Sequence, residues 1–386
     1  MDKLAVNEDY DFAHTSHDAR PLDWPGKNCE LQQLGETPLV AQTPESCLDG
    51  ETTPTDLIFI RNNGRMPERA ADPEGWTFVI DGEVEKPLRL SLRDLKKDYE
   101  TVTRRLVVEC GGNGRSFLEP AVKGNRWTHG GIACPEWTGV RLADVLKDAK
   151  LKSSAVFSGH YGADPSLTDD TQPALSRGVP IRKLLDDNNL LVWAVNGEPL
   201  PLPHGFPLRL IVPGWPGACS AKWLTRIWIR DRHHDGPGMT GISYKVPIKS
   251  MPAPKPGETY DRSNLKDLES MPVRAIVTHP ADGASLPAGT PTIALRGASW
   301  AGDYKVQRVE ISTDHGKRWH LTELKAPKNP YDWQRWTAEL SVLPGQVEIW
   351  ARATDERGIT QPLTPDNWNP HGVGINPVHR IRVTVR

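Results

Sequence analysis

The sequence has no excess of basic charge, because its 47 lysines and arginines are matched by 49 aspartates and glutamates, leaving a formal net charge of −2. Nucleic-acid-binding domains usually carry a clear basic surplus, so this balance argues against a nucleic-acid partner. No stretch approaches the roughly 18 apolar residues of a membrane helix. The start, Met1-Asp2-Lys3, lacks the basic and apolar regions of a signal peptide. We therefore expect no membrane span, and a mature chain whose leader has been removed fits the same observations.

Cysteine is scarce, and its spacing excludes several cofactor and metal motifs. The chain has five cysteines, with no Cys-x-x-Cys pair and no Cys-x-x-Cys-His. This argues against a zinc ribbon, a thioredoxin-type site and a covalently attached haem. An odd number leaves at least one thiol unpaired. Cys29 and Cys47 flank a polar loop, and they fit a disulfide in an oxidising compartment about as well as two free thiols.

Proline and glycine, in contrast, are abundant. The 386 residues include 35 prolines and 33 glycines, well above their usual combined share of about 12%. This excludes a mostly helical protein. Hydrophobic residues make up 37% of the chain, which is enough to bury a core. The length predicts two or three domains of about 100–200 residues each.

The pattern along the chain changes twice. Residues 1–55 are polar and interrupted by proline, and we expect an irregular segment that wraps over the rest. Residues 56–267 combine short apolar runs with amphipathic helices, one of which starts at Ser91 with a capping-box pattern, and predict an α+β domain. A proline-rich linker after Pro247 leads into residues 268–386. Their regular apolar alternation predicts a β-sandwich of about seven short strands.

Two hairpins are predicted inside the α+β domain. The apolar alternation of 76–80, the Asp81-Gly82 pair and the apolar residues at 88–90 predict a hairpin that opens a mixed sheet. The Asn196-Gly197 pair predicts a tight hairpin turn between Val195 and Leu200.

The segment from Leu106 to Arg115 is an apolar strand that runs directly into a glycine-rich turn, with Cys110 at the junction. A phosphate-binding loop is disfavoured because no Gly-Lys-Ser/Thr follows, and the glycine spacing misses the dinucleotide fingerprint. A nucleophilic Cys110, with its pKa lowered by Arg115, lacks the accompanying signatures of cysteine proteases. Two interpretations remain. Cys110 is either a soft thiolate ligand to a metal beside a bulky cofactor, or a buried cysteine before a tight turn.

Further segments, in consistent order along the chain, match motifs of one enzyme family. The segments are Asp56–Asn63, Cys110–Arg115, Trp127–Leu146, His204–Gly214, Ser220–Leu224 and Val309–Trp319. They resemble motifs of the sulfite oxidase family of molybdenum enzymes. In the same order, the family motifs are Phe-x-Arg-Asn-His; Cys-Ala-Gly-Asn-Arg-Arg; Trp-x-x-Gly-Ala-Ile followed by Trp-x-Gly-Val-x-Leu; His-Gly-Phe-Pro-x-Arg; Val-Lys-Trp-Leu; and the opening hairpin of the C-terminal sandwich. The likeness covers about residues 55–386. It implies a mixed α/β molybdopterin domain followed by an immunoglobulin-like β-sandwich dimerisation domain.

The resemblance also implies a cofactor and its contacts. The cofactor is molybdenum bound to molybdopterin, a pyranopterin dithiolene, and Cys110 is its only protein metal ligand. The implied cofactor-binding residues are Phe59, Arg61, Asn62, Asn63, Cys110, His204, Arg209, Ser220 and Lys222. Basic side chains suit this role because a phosphate in a mainly apolar pocket needs charge-assisted donors.

The substrate implied by the resemblance is sulfite, a small anion. Arg61 and Arg115 match the cationic positions of the family's pocket, Trp127 matches its aromatic wall, and Tyr244 matches a tyrosine that points toward the metal. Arginine suits this role because it binds oxyanions bidentately. These residues and His371 form the implied catalytic set.

Two positions depart from the family pattern. Asn63 stands where many members have histidine, and His371 stands where the vertebrate-like pattern carries a further pocket arginine. A histidine here is charged only at low pH, so we expect anion binding to weaken as pH rises. The alternative is that His371 is only a turn residue.

The resemblance implies oxidation of sulfite to sulfate by oxo transfer. Because no haem-binding segment is apparent in this chain, we expect electrons to pass to a separate acceptor, with a c-type cytochrome as first choice. The alternatives are a sulfite oxidase that uses dioxygen, a sulfane dehydrogenase subunit of a thiosulfate-oxidising system, and a binding module that has lost the cofactor. A homodimer through the C-terminal sandwich is expected, in the periplasm or alternatively the cytoplasm.

Overall fold

The structure, a computed structural model, describes residues 20–255 and 258–386. The first 19 residues of the expected irregular segment therefore lie outside the described residues. Strands are many and short, and α-helices are few. The predicted fold class, an α+β domain followed by a β-sandwich, is confirmed. None of the helices in the described ranges is long and apolar enough to cross a membrane.

Residues 20–61 carry more regular structure than the expectation for residues 1–55 included. They contain an antiparallel sheet formed by β1 (Arg20–Pro21), β2 (Gln32–Gly35), β3 (Val40–Gln42) and β4 (Ile60–Arg61). A small apolar cluster that includes Leu31 and Ile60 supports it. The sequence did not predict these strands because a strand of two to four residues is too short to show an alternation of apolar and polar residues. Cys29 and Cys47 are both free thiols.

The α+β domain is built on two five-stranded sheets. In the first, β7 (Thr101–Arg105), β10 (Glu136–Arg141), β13 (Leu190–Val195) and β14 (Glu198–Pro199) pair in sequence, and β15 (Arg209–Ile211) also pairs with β13. The second has the order β12 (Ser176–Arg177), β11 (Phe157–Gly162), β16 (Leu224–Arg230), β5 (Thr77–Gly82) and β6 (Leu88–Ser91). All pairs are antiparallel except β5 with β16, which makes this sheet mixed, as predicted.

Both predicted hairpins exist, but one turn was misplaced. Asn196 and Gly197 have φ angles of +51° and +83° and connect β13 to β14 as expected. Asp81 and Gly82 instead belong to β5, and residues 83–87 form the connection to β6. The β-ladder extends past Asp81 because Trp228 of β16 pairs with it.

The helices cover these sheets with apolar faces. They are α1 (Leu92–Asp98), α2 (Leu142–Ala149) and α3 (Ile181–Leu184), with 3-10 turns at Glu45–Leu48, Thr55–Leu57, Arg115–Phe117, Leu202–His204, Gly217–Cys219 and Arg262–Asn264. The predicted capping box at the start of α1 is confirmed. Ser91 Oγ accepts from the Asp94 backbone N–H at 3.1 Å, and Asp94 Oδ2 accepts from the Ser91 N–H at 2.8 Å.

Two short ladders complete this part of the chain. They are β8 (Val108–Glu109) with β9 (Ile132–Ala133), and β17 (Lys245–Pro247) with β18 (Leu265–Asp267). The first sets the position of the glycine-rich turn that follows it. The second encloses most of the predicted linker.

The C-terminal part is a sandwich of two sheets around one apolar core. One sheet has the order β19 (Arg274–His279), β21 (Thr292–Trp300), β25 (Gln334–Ser341) and β24 (Glu323–Leu324). The other has the order β20 (Ser285–Leu286), β27 (His379–Val385), β26 (Gly345–Asp355), β22 (Val306–Ser312) and β23 (His320–Leu321). About seven strands were predicted; six of these nine have six or more residues, and the other three, β20, β23 and β24, are two-residue elements.

A buried network joins the sandwich to the end of β8. Arg274 Nε donates to Glu109 Oε1 at 3.1 Å, with both side chains at most 1% exposed. Trp300 Nε1 donates to Glu109 Oε2 at 2.7 Å, and Asn113 Nδ2 donates to Glu109 Oε1 at 2.9 Å. Arg274 also donates to the Asn113 carbonyl at 3.2 Å. The glycine-rich turn is therefore held from both domains.

Candidate active site

Most of the predicted site residues line one cavity in the α+β domain. The predicted residues in its wall are Phe59, Arg61, Asn63, Cys110, His204, Arg209, Ser220, Lys222 and Tyr244. The other four, Asn62, Arg115, Trp127 and His371, lie around this wall. Arg61 ends β4, Cys110 follows β8, and Arg209 begins β15. The cavity is thus assembled from the ends of short strands that belong to three different sheets.

Cys110 is 7% exposed and is fixed by its backbone. Its N–H donates to the Gly131 carbonyl at 2.8 Å, and its carbonyl accepts from Asn113 N–H at 2.9 Å. Burial raises the pKa of the thiol, while Arg61 and Arg115 favour the thiolate. A Cβ at Gly111 would lie 2.7 Å from Tyr244 Cε1, so glycine is what allows the Tyr244 ring to approach this turn.

Arg115 is folded back over its own turn and enclosed by glycines. Its Nε donates to the His371 carbonyl at 3.1 Å and its Nη1 donates to the Asn125 carbonyl at 3.1 Å. A Cβ at Gly112, Gly124 or Gly372 would lie within 2.8 Å of an Arg115 side-chain atom. Among the described residues, no carboxylate forms a salt bridge with this buried guanidinium. Its charge therefore remains available to an anion beside Cys110.

Tyr244 and His371 are in direct contact. The Tyr244 backbone N–H donates to His371 Nδ1 at 2.8 Å, and the ring centroids are 5.1 Å apart in an edge-on arrangement. Burial, with Arg115 and other cations nearby, lowers the pKa of His371 to about 3. His371 is therefore neutral at ordinary pH. A loss of charge at His371 with rising pH would therefore occur well below neutral pH, and any weakening of anion binding from this source would fall in the acidic range.

Asn62, His204, Arg209 and Lys222 form a second group in the cavity. Lys222 Nζ donates to the Pro203 carbonyl at 2.8 Å and to Asn62 Oδ1. Arg209 Nη1 donates to the His204 carbonyl at 3.2 Å, and burial lowers the pKa of Arg209 to about 9. The Nε of Arg209 and the Nδ2 of Asn62 are buried without a partner. Two donors of this group therefore lack an acceptor, and burial, with Arg209 nearby, lowers the pKa of Lys222.

Three other predicted residues have supporting positions. Ser220 lines the cavity, and its Oγ accepts from the Val212 N–H at 2.9 Å. Phe59 packs edge-on against Trp127, with ring centroids 5.8 Å apart. Trp127 is fully buried and lies outside the cavity lining, so it supports the aromatic wall from behind Phe59 rather than forming it.

Sequence reasoning missed four charged or polar residues at the site. His160, Asp164 and Arg177 line the cavity. Lys27 Nζ lies 3.0 Å from His204 Nε2 and donates to two backbone carbonyls, and burial lowers its pKa to about 7. Each is an isolated polar residue in a polar stretch, which is the pattern of an ordinary surface position. No signal in one sequence separates them from solvated residues.

The residues present fit an anionic metal cofactor. Among the described residues, no group of three or more His, Cys, Asp or Glu side chains is placed to hold a metal ion. A metal beside Cys110 therefore needs most of its ligands from elsewhere, and a dithiolene supplies soft sulfur ligands. Buried cations and unpaired N–H groups, such as Arg209 Nε, need acceptors. Phosphate oxygens of a pterin cofactor meet that need.

This fold and site define a molybdopterin-dependent class of oxidoreductase. Residues 63–237 match the family model "Oxidoreductase molybdopterin binding domain", and residues 266–386 match "Mo-co oxidoreductase dimerisation domain". The chain is 31% identical over 383 residues to the mitochondrial sulfite oxidase of Homo sapiens, covering 94% of this chain and 67% of that protein. The chain therefore belongs to the sulfite oxidase family of molybdenum enzymes, and the predicted resemblance is confirmed.

Two further comparisons agree with membership of this family. The mitochondrial sulfite oxidase of Drosophila melanogaster is 32% identical over 380 residues, which cover 94% of this chain and 64% of that protein. The chain thus spans about two-thirds of the length of these relatives. The crystal structure of the sulfane dehydrogenase SoxCD from Paracoccus pantotrophus superposes with a TM-score of 0.73 at 25% identity, covering 98% of this chain and 96% of that chain.

Proposed function

We propose that this protein oxidises sulfite to sulfate and passes the electrons to a separate acceptor such as a c-type cytochrome. The observation that carries the proposal is the pair of arginines, Arg61 and Arg115, beside Cys110. Both favour a negative charge on that thiol, and neither forms a salt bridge within the described ranges. A small anionic substrate fits this arrangement. Family membership adds support.

The chain's own groups have distinct tasks in this proposal. When bound, the molybdenum cofactor supplies the two-electron oxidation. Cys110 holds the metal, while Arg209, Lys222 and Asn62 bind the anionic part of the cofactor through charge-assisted hydrogen bonds. Burial raises the pKa of Tyr244, so its phenol stays protonated and can donate a hydrogen bond.

Arg61 and Arg115 bind and orient sulfite. They are effective because fixed charges in a site that excludes water interact more strongly than the same charges in solution. Burial also removes water that would compete for the anion's oxygens. The two arginines approach from separate elements, since Arg61 ends β4 and Arg115 follows the glycine-rich turn.

A steady-state assay tests the proposal. Purified, molybdenum-loaded protein is given sulfite with ferricyanide, cytochrome c or dioxygen as acceptor, and its molybdenum content is measured. We expect sulfite-dependent reduction of ferricyanide and cytochrome c, and slow consumption of dioxygen. Absence of sulfite-dependent reduction in a fully loaded sample would refute sulfite oxidation. Fast consumption of dioxygen would favour the oxidase alternative and would contradict the proposal that a cytochrome is the electron acceptor.

A sulfane dehydrogenase subunit is the second candidate. The observation that favours it is the likeness to the Paracoccus structure over nearly the whole of both chains. The same assay discriminates if thiosulfate and a protein-bound persulfide replace sulfite. Turnover with a sulfane donor and none with sulfite would support this alternative.

A homodimer formed through the sandwich is also part of the proposal. The match of residues 266–386 to a dimerisation domain supports it. Sedimentation or light scattering should give a mass near twice the 42.9 kDa of one chain. A monomer at micromolar concentration would contradict it. A periplasmic location remains a prediction, tested by detecting the protein in periplasmic and cytoplasmic fractions of its host.

Arg115→Gln should lower kcat/KM for sulfite by about 100-fold, the scale expected when one charge-stabilising donor of a buried site is removed. Glutamine keeps a donor but loses the charge that Arg115 directs toward Cys110. Steady-state kinetics on samples of equal molybdenum content measure the effect. Arg93→Gln on the exposed face of α1 removes the same charge and should change nothing. A change below threefold in Arg115→Gln would contradict the role.

A further inference from the structure

A third arginine reaches the site from an element that no motif covers. Arg177, at the end of β12, lines the cavity and is 2% exposed. Its Cζ lies 4.2 Å from the centre of the Tyr244 ring. Tyr244 in turn approaches Gly111, next to Cys110. Arg177 thus belongs to the group around the metal ligand.

The guanidinium of Arg177 is incompletely satisfied. Its Nη1 donates to the Gly238 carbonyl and its side chain also contacts the Cys219 thiol, while its Nε is buried without a partner. Within residues 20–255 and 258–386, no carboxylate forms a salt bridge with it. Leaving a buried charged donor unpaired is costly, and such groups are usually matched by an acceptor. The acceptor that Arg177 lacks in the chain is expected in a ligand.

The charges near His371 indicate which ligand this is. His371 is neutral, so its loop adds no positive charge to the pocket. Arg61, Arg115 and Arg177 all act electrostatically on both His371 and Tyr244. Arg209 and Lys222 are not among the groups that act on this pair, and of the three arginines only Arg61 also acts on Lys222. Arg177 therefore lies with the residues assigned to the substrate, and apart from those assigned to the cofactor.

We propose that Arg177 binds the anionic substrate as a third arginine and supplies, from β12, the positive charge that the loop carrying His371 does not. This inference rests on the proposed oxidation of sulfite. One guanidinium edge stays on the Gly238 carbonyl, and the free Nε–H donates to a substrate oxygen. The stacked Tyr244 ring keeps the guanidinium plane fixed.

The test compares Arg177→Met, Arg177→Lys and Arg209→Met in molybdenum-loaded protein. For Arg177→Met we expect the KM for sulfite and the inhibition constant of sulfate to rise together by about 10- to 100-fold, as for loss of a charged hydrogen bond. Its kcat should change by less than about threefold, and its molybdenum content should stay equal to wild type. Arg177→Lys should recover part of the affinity. Arg209→Met should show the opposite pattern, with lower molybdenum content.

A second readout does not depend on turnover. Sulfate should raise the thermal midpoint of the wild-type holoenzyme in a concentration-dependent manner, because ligands that bind only the folded state stabilise it. This shift should need higher sulfate in Arg177→Met. Arg182→Met, an exposed variant on α3 with the same change in charge, should behave as wild type. If Arg177→Met does not fold, Arg177→Lys carries the comparison, because it keeps the charge.

The outcomes separate this inference from the proposed function. If wild type oxidises sulfite and Arg177→Met has unchanged KM and sulfate affinity, the inference is wrong and the function stands. If Arg177→Met loses molybdenum instead, the residue binds the cofactor and the inference is also wrong. If wild type does not oxidise sulfite, the function fails, and the sulfate shift alone decides whether Arg177 binds an oxyanion.

Discussion

Cys110→Ser should abolish sulfite oxidation while leaving the fold intact. Serine is nearly isosteric, so the packed turn around position 110 and its backbone hydrogen bonds are retained. Its hydroxyl, however, is a hard and weakly acidic ligand, whereas the proposed role requires a soft thiolate. Sulfite-dependent reduction of ferricyanide, molybdenum content and the thermal midpoint measure the three expected results: no turnover, altered metal retention and unchanged stability.

A second buried cysteine supplies the matched control. Cys134 is fully buried between the two domains, and its Sγ lies 3.4 Å from Asp332 Oδ1. A serine there can donate to the same carboxylate, so Cys134→Ser should retain activity. Turnover in Cys110→Ser comparable to that of Cys134→Ser would show that Cys110 is not the metal ligand.

Of the substitutions named so far, Arg274→Met should lower the free energy of unfolding the most. It leaves the Glu109 carboxylate buried without its cation, and breaking a buried ion pair on one side costs about 3–5 kcal/mol. For domains of this size, that corresponds to a fall of roughly 10 °C in the thermal midpoint. Activity should fall as well, because Arg274 also holds the Asn113 carbonyl in the turn after Cys110.

The double variant Glu109→Gln with Arg274→Met separates charge from packing. Glutamine keeps one acceptor oxygen, which can face either Trp300 Nε1 or Asn113 Nδ2, and no unpaired charge remains. We expect the double variant to recover most of the lost stability, as buried ion pairs replaced on both sides often do. Equal destabilisation in the single and double variants would show that packing of Arg274, not the ion pair, is what matters.

The sequence identified site residues where they occur in contiguous segments. Arg61 to Asn63, His204 to Arg209 and Ser220 to Lys222 each stand in a short motif beside a strand end, and the structure brings them into one cavity. Arg177 and Asp164 were not predicted as site residues because each is a single residue in a polar stretch. Their position depends on how β12 pairs with β11, which is a long-range event that no local pattern records.

Strands, like site residues, could be predicted only where a local sequence pattern records them. The long strands of the sandwich, such as β22 and β26, alternate over seven or more residues and were predictable. The N-terminal sheet and the two-residue strands β20, β23 and β24 have no measurable period. They exist because longer neighbours offer unpaired backbone groups, so they depend on the tertiary structure.

The glycines around Arg115 have a consequence for how natural variation in this chain is interpreted. Gly372 lies within residues 266–386, so a substitution there would be classified as a change in the dimerisation domain. Yet an added methyl group would lie 2.5 Å from Val122 Cγ2 and 2.8 Å from Arg115 Cγ, and at φ +57° the new residue would also be strained. A larger residue at Gly112, Gly124 or Gly372 would therefore require the Arg115 side chain to shift. We therefore expect the residues at these three positions to vary together among related sequences, although Gly112 and Gly372 are more than 250 residues apart.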